Sequence, residues 1–228
     1  MRTWQVLSDS GEPFRDRVEA GRLLGRELEA RGLRNAVVLG IPRGGVVVGR
    51  EVARAINAEL DIVIARKLGA PGNPELAIGA ISEDGRLFVD ERLASQVGAD
   101  STYIEEERDR QLREVARRAE SYRKARPKVS LRGRPAIVTD DGVATGATAQ
   151  AALRAVRQEQ PEVLILALPV GPPETLRRLA RDADEVLCLR APAFFAAVGQ
   201  FYVVFDQTQD EELLRILQEE AGRAGRAP

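Results

Sequence analysis

Apolar residues along the chain follow two patterns. Short runs are apolar throughout, which predicts buried β-strands, and longer stretches are apolar at every third or fourth position, which predicts amphipathic helices. The predicted strands are NAVVLGIP, DIVIARK, RPAIVTDD, PEVLILALPVG and EVLCLRAP, and FYVVF is a candidate for a sixth strand. The predicted helices cover residues 14–31, 43–59, 147–159, 172–181 and 210–221.

This alternation of strands and helices predicts an α/β fold with a Rossmann-like, mostly parallel, doubly wound sheet flanked by helices. Two segments break the alternation. LAIGAIS, the turn EDG and RLFVD form a predicted hairpin outside the sheet, after the predicted loop LGAPGNPE. Residues 102–126 are highly charged, with one apolar face and Glu/Arg pairs three or four residues apart. They predict a long solvated helix that packs by one face.

Two carboxylates, Asp140 and Asp141, follow the predicted strand AIVT directly. In open α/β sheets, ligands bind beyond the carboxyl ends of the strands, so this pair stands where a site is expected. Because adjacent carboxylates repel each other, we expect them to face solvent or hydroxyl donors rather than the core.

The loop after this pair, residues 144–148, consists of Ala, Thr and Gly and leads into a predicted helix. Small side chains let backbone N–H groups converge, and the helix N-terminus adds its positive dipole. With the hydroxyls of Thr145 and Thr148, these groups predict a phosphate cradle beside acceptors for a vicinal diol, which suits a phosphorylated ribose. The simpler alternative is an acidic turn followed by a Thr N-cap. The loop is not a Walker A motif, because no Gly-Lys-Ser/Thr follows.

Two other strand ends carry basic residues. The segment PRGG, residues 42–45, offers unhindered backbone amides and a guanidinium at another helix start, a combination that suits a diphosphate. Arg66 and Lys67 end the strand DIVIARK and enter the predicted loop. They either serve the same anion or form an ordinary solvated basic pair.

The string VTDDGVATGAT resembles the phosphoribosyl-pyrophosphate (PRPP) signature of the type I phosphoribosyltransferases. That signature is an apolar strand, two acidic residues, two mostly apolar residues, one variable residue and then Thr-Gly-x-Thr. The resemblance covers residues 35–170 and implies the fold of that family with a small C-terminal hood. It also implies a pentosyltransferase that moves the phosphoribosyl group of PRPP to a nitrogenous base and releases pyrophosphate. Mg²⁺ would arrive with the diphosphate.

The resemblance assigns a role to each group. The two carboxylates hold the ribose hydroxyls and reach Mg²⁺ only through water, loop 144–148 holds the 5′-phosphate, and the basic residues stabilise the departing pyrophosphate. A strained or cis peptide is expected around Arg43, because family members often have one in this pyrophosphate loop. The implied catalytic residues are Asp140, Asp141, Arg43 and Lys67. The implied substrate-binding residues are Pro42, Arg43, Gly44, Gly45, Arg66, Lys67, Asp140, Asp141, Gly142, Val143, Ala144, Thr145, Gly146, Ala147 and Thr148.

Three positions depart from the signature or narrow the subclass. Thr139 and Gly142 replace residues that are usually apolar, without removing a ligand. Ala144 stands where the hypoxanthine–guanine enzymes carry an acidic residue directed at the purine. The resemblance therefore speaks against that subclass and leaves the acceptor open.

We predict one domain over residues 1–228, with its core at 14–190, a helical insertion at 101–126 and a hood at 191–228. The hood is suggested by an aromatic cluster within residues 194–205, since family members often bind the acceptor by stacking. Core packing is the preferred explanation for most of these rings.

Composition excludes several chemistries. The 228 residues include 34 basic and 35 acidic side chains, for a formal net charge of −1, which argues against a nucleic-acid binder. The absence of histidine excludes Ser-His-Asp catalysis and His-based zinc sites, and the single cysteine, Cys188, allows no internal disulfide. The chain opens without an apolar leader and has no membrane-length apolar run, so we expect a soluble cytoplasmic protein. The family resemblance implies a role in nucleotide metabolism.

Other functions remain open from the sequence. Some proteins that resemble this family bind PRPP as a signal and regulate transcription without catalysis. A basic DNA-binding face would favour that alternative, and the sequence shows none. Hydrolysis of a phosphorylated ribose, or an accessory role with another ligand, would use the same cradle. The resemblance is also compatible with a homodimer.

Overall fold

The computed structural model describes residues 3–224, without the side chains of residues 75 and 224. Its strands are β1 (Thr3–Ser8), β2 (Val37–Gly40), β3 (Glu59–Ile62), β4 (Ala65–Ala70), β5 (Asn73–Ser82), β6 (Leu87–Val89), β7 (Ala136–Thr139), β8 (Leu164–Val170) and β9 (Glu185–Arg190). Its helices are α1 (Arg17–Glu29), α2 (Gly44–Ala55), α3 (Glu91–Gln96), α4 (Ser101–Ala125), α5 (Ala147–Arg157), α6 (Pro173–Leu179) and α7 (Asp210–Ala224). Within this described part of the chain, no helix is both long and apolar enough to cross a membrane.

Six parallel strands form the central sheet, in the order β1-β9-β8-β7-β2-β3. Strands β2, β7 and β8 are buried over their whole length, because helices cover both faces. Along β7, Ile137 packs on the side of α1, α2 and α7, whereas the next residue, Val138, packs on the side of α5 and α6. The predicted α/β fold is confirmed.

Two segments differ from the prediction for the central sheet. Residues of β1 were not predicted to be a strand, yet they pair in parallel with β9 at the edge of the sheet. The candidate strand FYVVF belongs to neither sheet: Phe201 ends a 3₁₀ turn, and Tyr202 makes an isolated bridge with Phe14. The local apolar pattern does not reveal which extended segment finds a pairing partner, and this explains both differences.

The run DIVIARK is two strands rather than the predicted one. Strand β3 ends in the central sheet, and β4 begins in a separate antiparallel sheet with β5 and β6. The predicted loop LGAPGNPE is also wrong, because most of it belongs to β4 and β5, which turn at Gly72 with φ of 70°. Arg66 and Lys67 therefore lie within β4. The predicted hairpin outside the central sheet is confirmed as β5 and β6.

Helix α4 confirms the predicted long charged helix and packs against β4, β5 and α7. Arg123 near its C-terminus bridges two buried carboxylates, with Nη1 2.5 Å from Asp61 Oδ1 and Nη2 2.5 Å from Glu83 Oε1. Asp61 is 1% exposed and also accepts the backbone N–H of Val129 at 2.9 Å. Because a buried charge must be paired, this cluster fixes the end of α4 to the edge of the central sheet.

Replacing Arg123 with Met would leave the carboxylates of Asp61 and Glu83 without their cation. We expect the free energy of unfolding to fall by about 3 kcal/mol, because breaking a buried pair leaves uncompensated charge. Arg117→Met, whose exposed ion pair with Glu114 spans 3.6 Å, is the control and should change stability by less than about 0.5 kcal/mol. Urea unfolding at neutral pH measures both, and equal stability of the two variants would contradict the anchoring role of Arg123.

Candidate functional site

Asp141, beyond the carboxyl end of β7, is held by three other segments. Arg17, the first residue of α1, donates from Nε to Oδ2 of Asp141 at 2.8 Å. Gly44, the first residue of α2, packs so closely that a Cβ atom there would overlap the same oxygen. The hydroxyl of Tyr202 donates to the Asp141 carbonyl at 2.5 Å. The Asp141 side chain is 16% exposed, so the expectation that it faces solvent or hydroxyl donors is wrong: Arg17 is its partner.

Asp140 is partly buried beside this residue, and its Oδ1 accepts the backbone N–H of Asp141 at 2.9 Å. Burial, and then the neighbouring carboxylate, raise the pKa of Asp140 well above its ordinary value. Burial also raises the pKa of Asp141, although the positive charge of Arg17 opposes this rise. The charged pair is thus costly to bury, and hydroxyl donors from a ligand would reduce that cost.

Loop 144–148 leads into α5, with Gly146 at the N-cap in a left-handed conformation of φ 71°. Helix α6 holds the loop from behind: Thr175 Oγ1 donates at 2.8 Å to the carbonyl of the first loop residue, and Arg178 donates to the carbonyl of the second. Among the described residues, no side chain caps the start of α5. The first backbone N–H groups of this helix therefore remain for a ligand.

Segment 42–45 contains the expected cis peptide, between Pro42 and Arg43. The guanidinium of Arg43 points toward the start of α7, where its Nη1 lies 3.8 Å from Oδ1 of Asp210. The same carboxylate oxygen accepts the hydroxyl of Tyr122, from α4, at 2.8 Å. Arg43 is therefore linked through Asp210 to two helices that lie outside the predicted motifs.

A cleft of about 490 Å³ opens beyond the carboxyl ends of β2 and β7. It brings together residues from all three predicted strand ends, namely Pro42, Arg66, Lys67, Thr145, Ala147 and Thr148. The carboxylate pair is not part of its lining and adjoins it through the loop that follows β7. Arg43 is likewise not among the residues that line the cleft, although its neighbour Pro42 is.

Helix α4 supplies an unpredicted wall of this cleft. The helix packs by one face, as predicted, but it also turns a row of polar side chains to the cleft. The prediction that its charged residues are simply solvated is therefore wrong for this row, whose members are Glu107, Arg110, Gln111, Arg118 and Tyr122.

The functional residues that sequence reasoning missed have partners far away along the chain. Arg17 and Asp141 are separated by 124 positions, and Thr175 bonds a loop residue 31 positions earlier. The sequence carries a weak signal that Arg17 has a functional partner. A basic residue in the first turn of a helix is unfavourable next to the positive end of the helix dipole, so an acidic partner is expected to compensate. The sequence around Thr175 carries no comparable signal.

The site thus consists of a carboxylate pair, an uncapped helix start and basic side chains around one cleft. Residues 18–206 match the family described as the phosphoribosyl transferase domain. The chain belongs to this family. The resemblance of VTDDGVATGAT to the phosphoribosyltransferases is thereby confirmed, and the parallel sheet with helices on both faces agrees with it.

Several known proteins are similar to this phosphoribosyl transferase domain. Two curated proteins of Mycobacterium tuberculosis, from strains CDC 1551 / Oshkosh and H37Rv, are each 45% identical to it over 204 residues and are provisionally named phosphoribosyl transferases. The match covers 90% of this chain and 46% of each relative, so the chain spans about half their length. The crystal structure of TT1426 from Thermus thermophilus has 49% identity and a TM-score of 0.87, covering 91% of this chain and 98% of that one. None of these names identifies an acceptor.

Gly45 lies against the backbone of the β7 end, and we expect Gly45→Ala to lower the free energy of unfolding by about 2 kcal/mol. A Cβ atom there would lie 2.8 Å from both Asp140 Cα and Thr139 O, and backbone atoms cannot move aside cheaply. Gly222→Ala, in open space on α7, is the control and should stabilise the protein by about 0.5 kcal/mol. Urea unfolding compares the two; a Gly45→Ala variant as stable as wild type would disprove the close approach.

Asp140→Asn should stabilise the protein at neutral pH. The pKa of Asp140 is raised in the folded state, so its contribution to stability is fully present below the unfolded value and is lost as pH rises through the folded pKa. The variant should therefore gain stability over wild type as pH increases from about 4 to 7.5, a window set by the ordinary pKa of aspartate. Urea unfolding across that range tests this, with the exposed Asp109→Asn as control. A destabilised Asp140→Asn variant at pH 7.5 would contradict the electrostatic cost.

Proposed function

We propose that the protein transfers the phosphoribosyl group of PRPP to a nitrogenous acceptor and releases pyrophosphate. The observation that carries this proposal is the convergence of three strand ends on one cleft. PRPP presents a phosphate, a ribose diol and a diphosphate in a single molecule. The uncapped start of α5, the carboxylate pair and the basic side chains provide one matching group for each.

In the proposed complex, the 5′-phosphate lies at the start of α5, where Thr145 and Thr148 are exposed and add hydroxyl donors. The ribose hydroxyls donate to Asp140 and Asp141, and these added hydrogen bonds reduce the cost of holding two charged carboxylates side by side. The diphosphate extends from there toward segment 42–45 and the basic residues of β4. Bound in this way, PRPP has its anomeric carbon between the acidic and the basic parts of the site.

The proposed reaction breaks the bond from the anomeric carbon to the diphosphate oxygen, and the electron pair leaves with the diphosphate. A lone pair of the acceptor nitrogen forms the new bond, and the proton that this nitrogen loses passes to a carboxylate or to solvent. Positive charge develops on the ribose near Asp140 and Asp141, while negative charge on the leaving group is stabilised by Arg43, Arg66 and Lys67. Catalysis would thus come from positioning and electrostatic stabilisation.

The donor atoms of the site suit Mg²⁺ that arrives with the diphosphate. Within the part of the chain that the structure describes, no three His, Cys, Asp or Glu side chains are grouped so that they could hold a metal ion. One of the two site carboxylates, Asp141, is already bound by Arg17. Since Mg²⁺ keeps several waters and takes phosphate oxygens, the pair would hold it through water at most. The ion would neutralise part of the charge on the diphosphate.

The segment after β9 lies beside the carboxylate pair and is our proposed hood for the acceptor. Phe201 and Tyr202 are buried, as core packing predicts. Phe205 stacks on Tyr202 with ring centroids 5.0 Å apart, and the guanidinium carbon of Arg17 lies 4.0 Å from the Phe205 centroid. Phe194 is 90% exposed and is the ring that could meet an acceptor. With a core at residues 14–190, the hood would close the acceptor side of the site.

Isothermal titration with PRPP, with and without Mg²⁺, tests this function. We expect magnesium-dependent binding by the wild-type protein and a loss of affinity of roughly a hundredfold in the Asp140→Asn, Asp141→Asn double variant, because two charge-assisted hydrogen bonds disappear. Asp109→Asn is the control and should bind normally. Undiminished affinity in the double variant would refute the ribose assignment.

Pyrophosphate release with a panel of purine, pyrimidine and other nitrogenous acceptors then tests catalysis. Release with one acceptor class identifies the substrate. Tight PRPP binding without release for any acceptor would favour the alternative of a non-catalytic, PRPP-binding regulator.

A further inference from the structure

Helix α4 presents a polar stripe to the cleft. Successive members of the stripe are three, one, seven and four positions apart, a spacing that places them on one side of a helix. They are Glu107, Arg110, Gln111, Arg118 and Tyr122. The residues of this stripe belong neither to the PRPP signature nor to the other two strand ends that were predicted to form the site.

One end of the stripe is organised by a buried carboxylate. Glu107 is 4% exposed, and its oxygens bind the side-chain amide of Gln111 at 2.9 Å and the guanidinium of Arg110. Gln111 in turn accepts a hydrogen bond from Nε of Arg66 at 3.0 Å. This chain of contacts orients Arg110 beside Arg66, while 62% of the Arg110 side chain stays accessible.

The other end of the stripe reaches the pyrophosphate loop, segment 42–45. Tyr122 donates to Asp210, the residue that pairs with Arg43. Burial and this hydrogen bond raise the pKa of Tyr122 to about 12, and the positive charges of Arg118 and Arg43 oppose the rise. Arg118 lines the cleft one helical turn before Tyr122, at the end of the stripe that adjoins Arg43.

The cleft is lined mainly by positive charges, which favours a ligand with more than one negative charge. Its charged lining consists of four bases and one acid, Arg66, Lys67, Arg110, Arg118 and Glu107. The acid is already bound to its neighbours on the helix, so the lining keeps an excess of positive charge. A diphosphate offers several oxygens and a comparable negative charge, and a guanidinium fork matches such oxygens well.

We propose that Arg110 and Arg118 bind the diphosphate of the substrate from the α4 wall of the cleft, together with the loop that carries Arg43. The proposal rests on the proposed function, because it assigns these arginines to the leaving group of the same reaction. Glu107 acts through Arg110 and is a positioning residue. The 5′-phosphate is a poorer partner for the stripe, since loop 144–148 is held by α6 and has its own donors.

Titration with inorganic pyrophosphate in the presence of Mg²⁺ tests the proposal. Arg110→Ala and Arg118→Ala should each weaken binding roughly tenfold, the effect of one charge-assisted hydrogen bond. Arg113→Ala removes the same charge from an exposed position of α4 outside the stripe, and its affinity should stay within about twofold of wild type. Arg118→Lys should recover part of the loss, because it restores the charge without the fork. All replaced side chains are exposed, and circular dichroism checks that α4 remains folded.

Equal affinities of Arg110→Ala, Arg118→Ala and Arg113→Ala for pyrophosphate would overturn the proposal, and so would a wild-type protein that binds PRPP but no pyrophosphate. The Asp140→Asn, Asp141→Asn variant separates this question from the proposed function, because it should lose PRPP and keep pyrophosphate. A wild-type protein that binds pyrophosphate through the two arginines, yet does not bind PRPP, would refute the transferase function and support the diphosphate site.

Discussion

The contact between Asp141 and Gly44 sets the geometry of the whole site. It brings the end of β7 against the first turn of α2, where only a residue without Cβ leaves room for the carboxylate. Arg17 of α1 donates a hydrogen bond to the same carboxylate, and Tyr202 of the C-terminal segment donates one to the backbone carbonyl of Asp141. Four parts of the chain therefore meet at one residue, Asp141. Because a buried charge tolerates few arrangements of its partners, these parts are held in fixed positions before a ligand arrives.

Charge in the site is divided in space. The acidic pair forms the proposed ribose site, and the raised pKa values of Asp140 and Asp141 indicate that the fold bears an electrostatic cost there. The basic side chains line the cleft, whose wall does not include the acidic pair. A reaction that develops positive charge on a ribose and negative charge on a diphosphate would be stabilised at both ends by this division. The same division would let a protein with a net charge near zero bind a polyanion, as proposed.

Helix α4 combines two roles that its composition alone does not distinguish. Arg123 anchors its end to Asp61 in the central sheet, and Glu107 directs a polar stripe to the cleft. Both roles use charged residues, so the helix is charged on most of its surface while still being fixed to the core.

The local sequence was sufficient to predict the buried strands, the amphipathic helices and the motif of carboxylates, glycine and threonines that follows β7. Those signals lie in neighbouring residues, at the periods of strands and helices or in one continuous motif. It was not sufficient for β1, which pairs Thr3 with Glu185, or for the division of DIVIARK between two sheets. The tertiary structure alone decided that Arg17 binds Asp141 and that Gln111 of α4 meets Arg66 at the cleft. Such contacts join residues tens of positions apart or more, and a pairing over that separation leaves no periodic trace in the sequence.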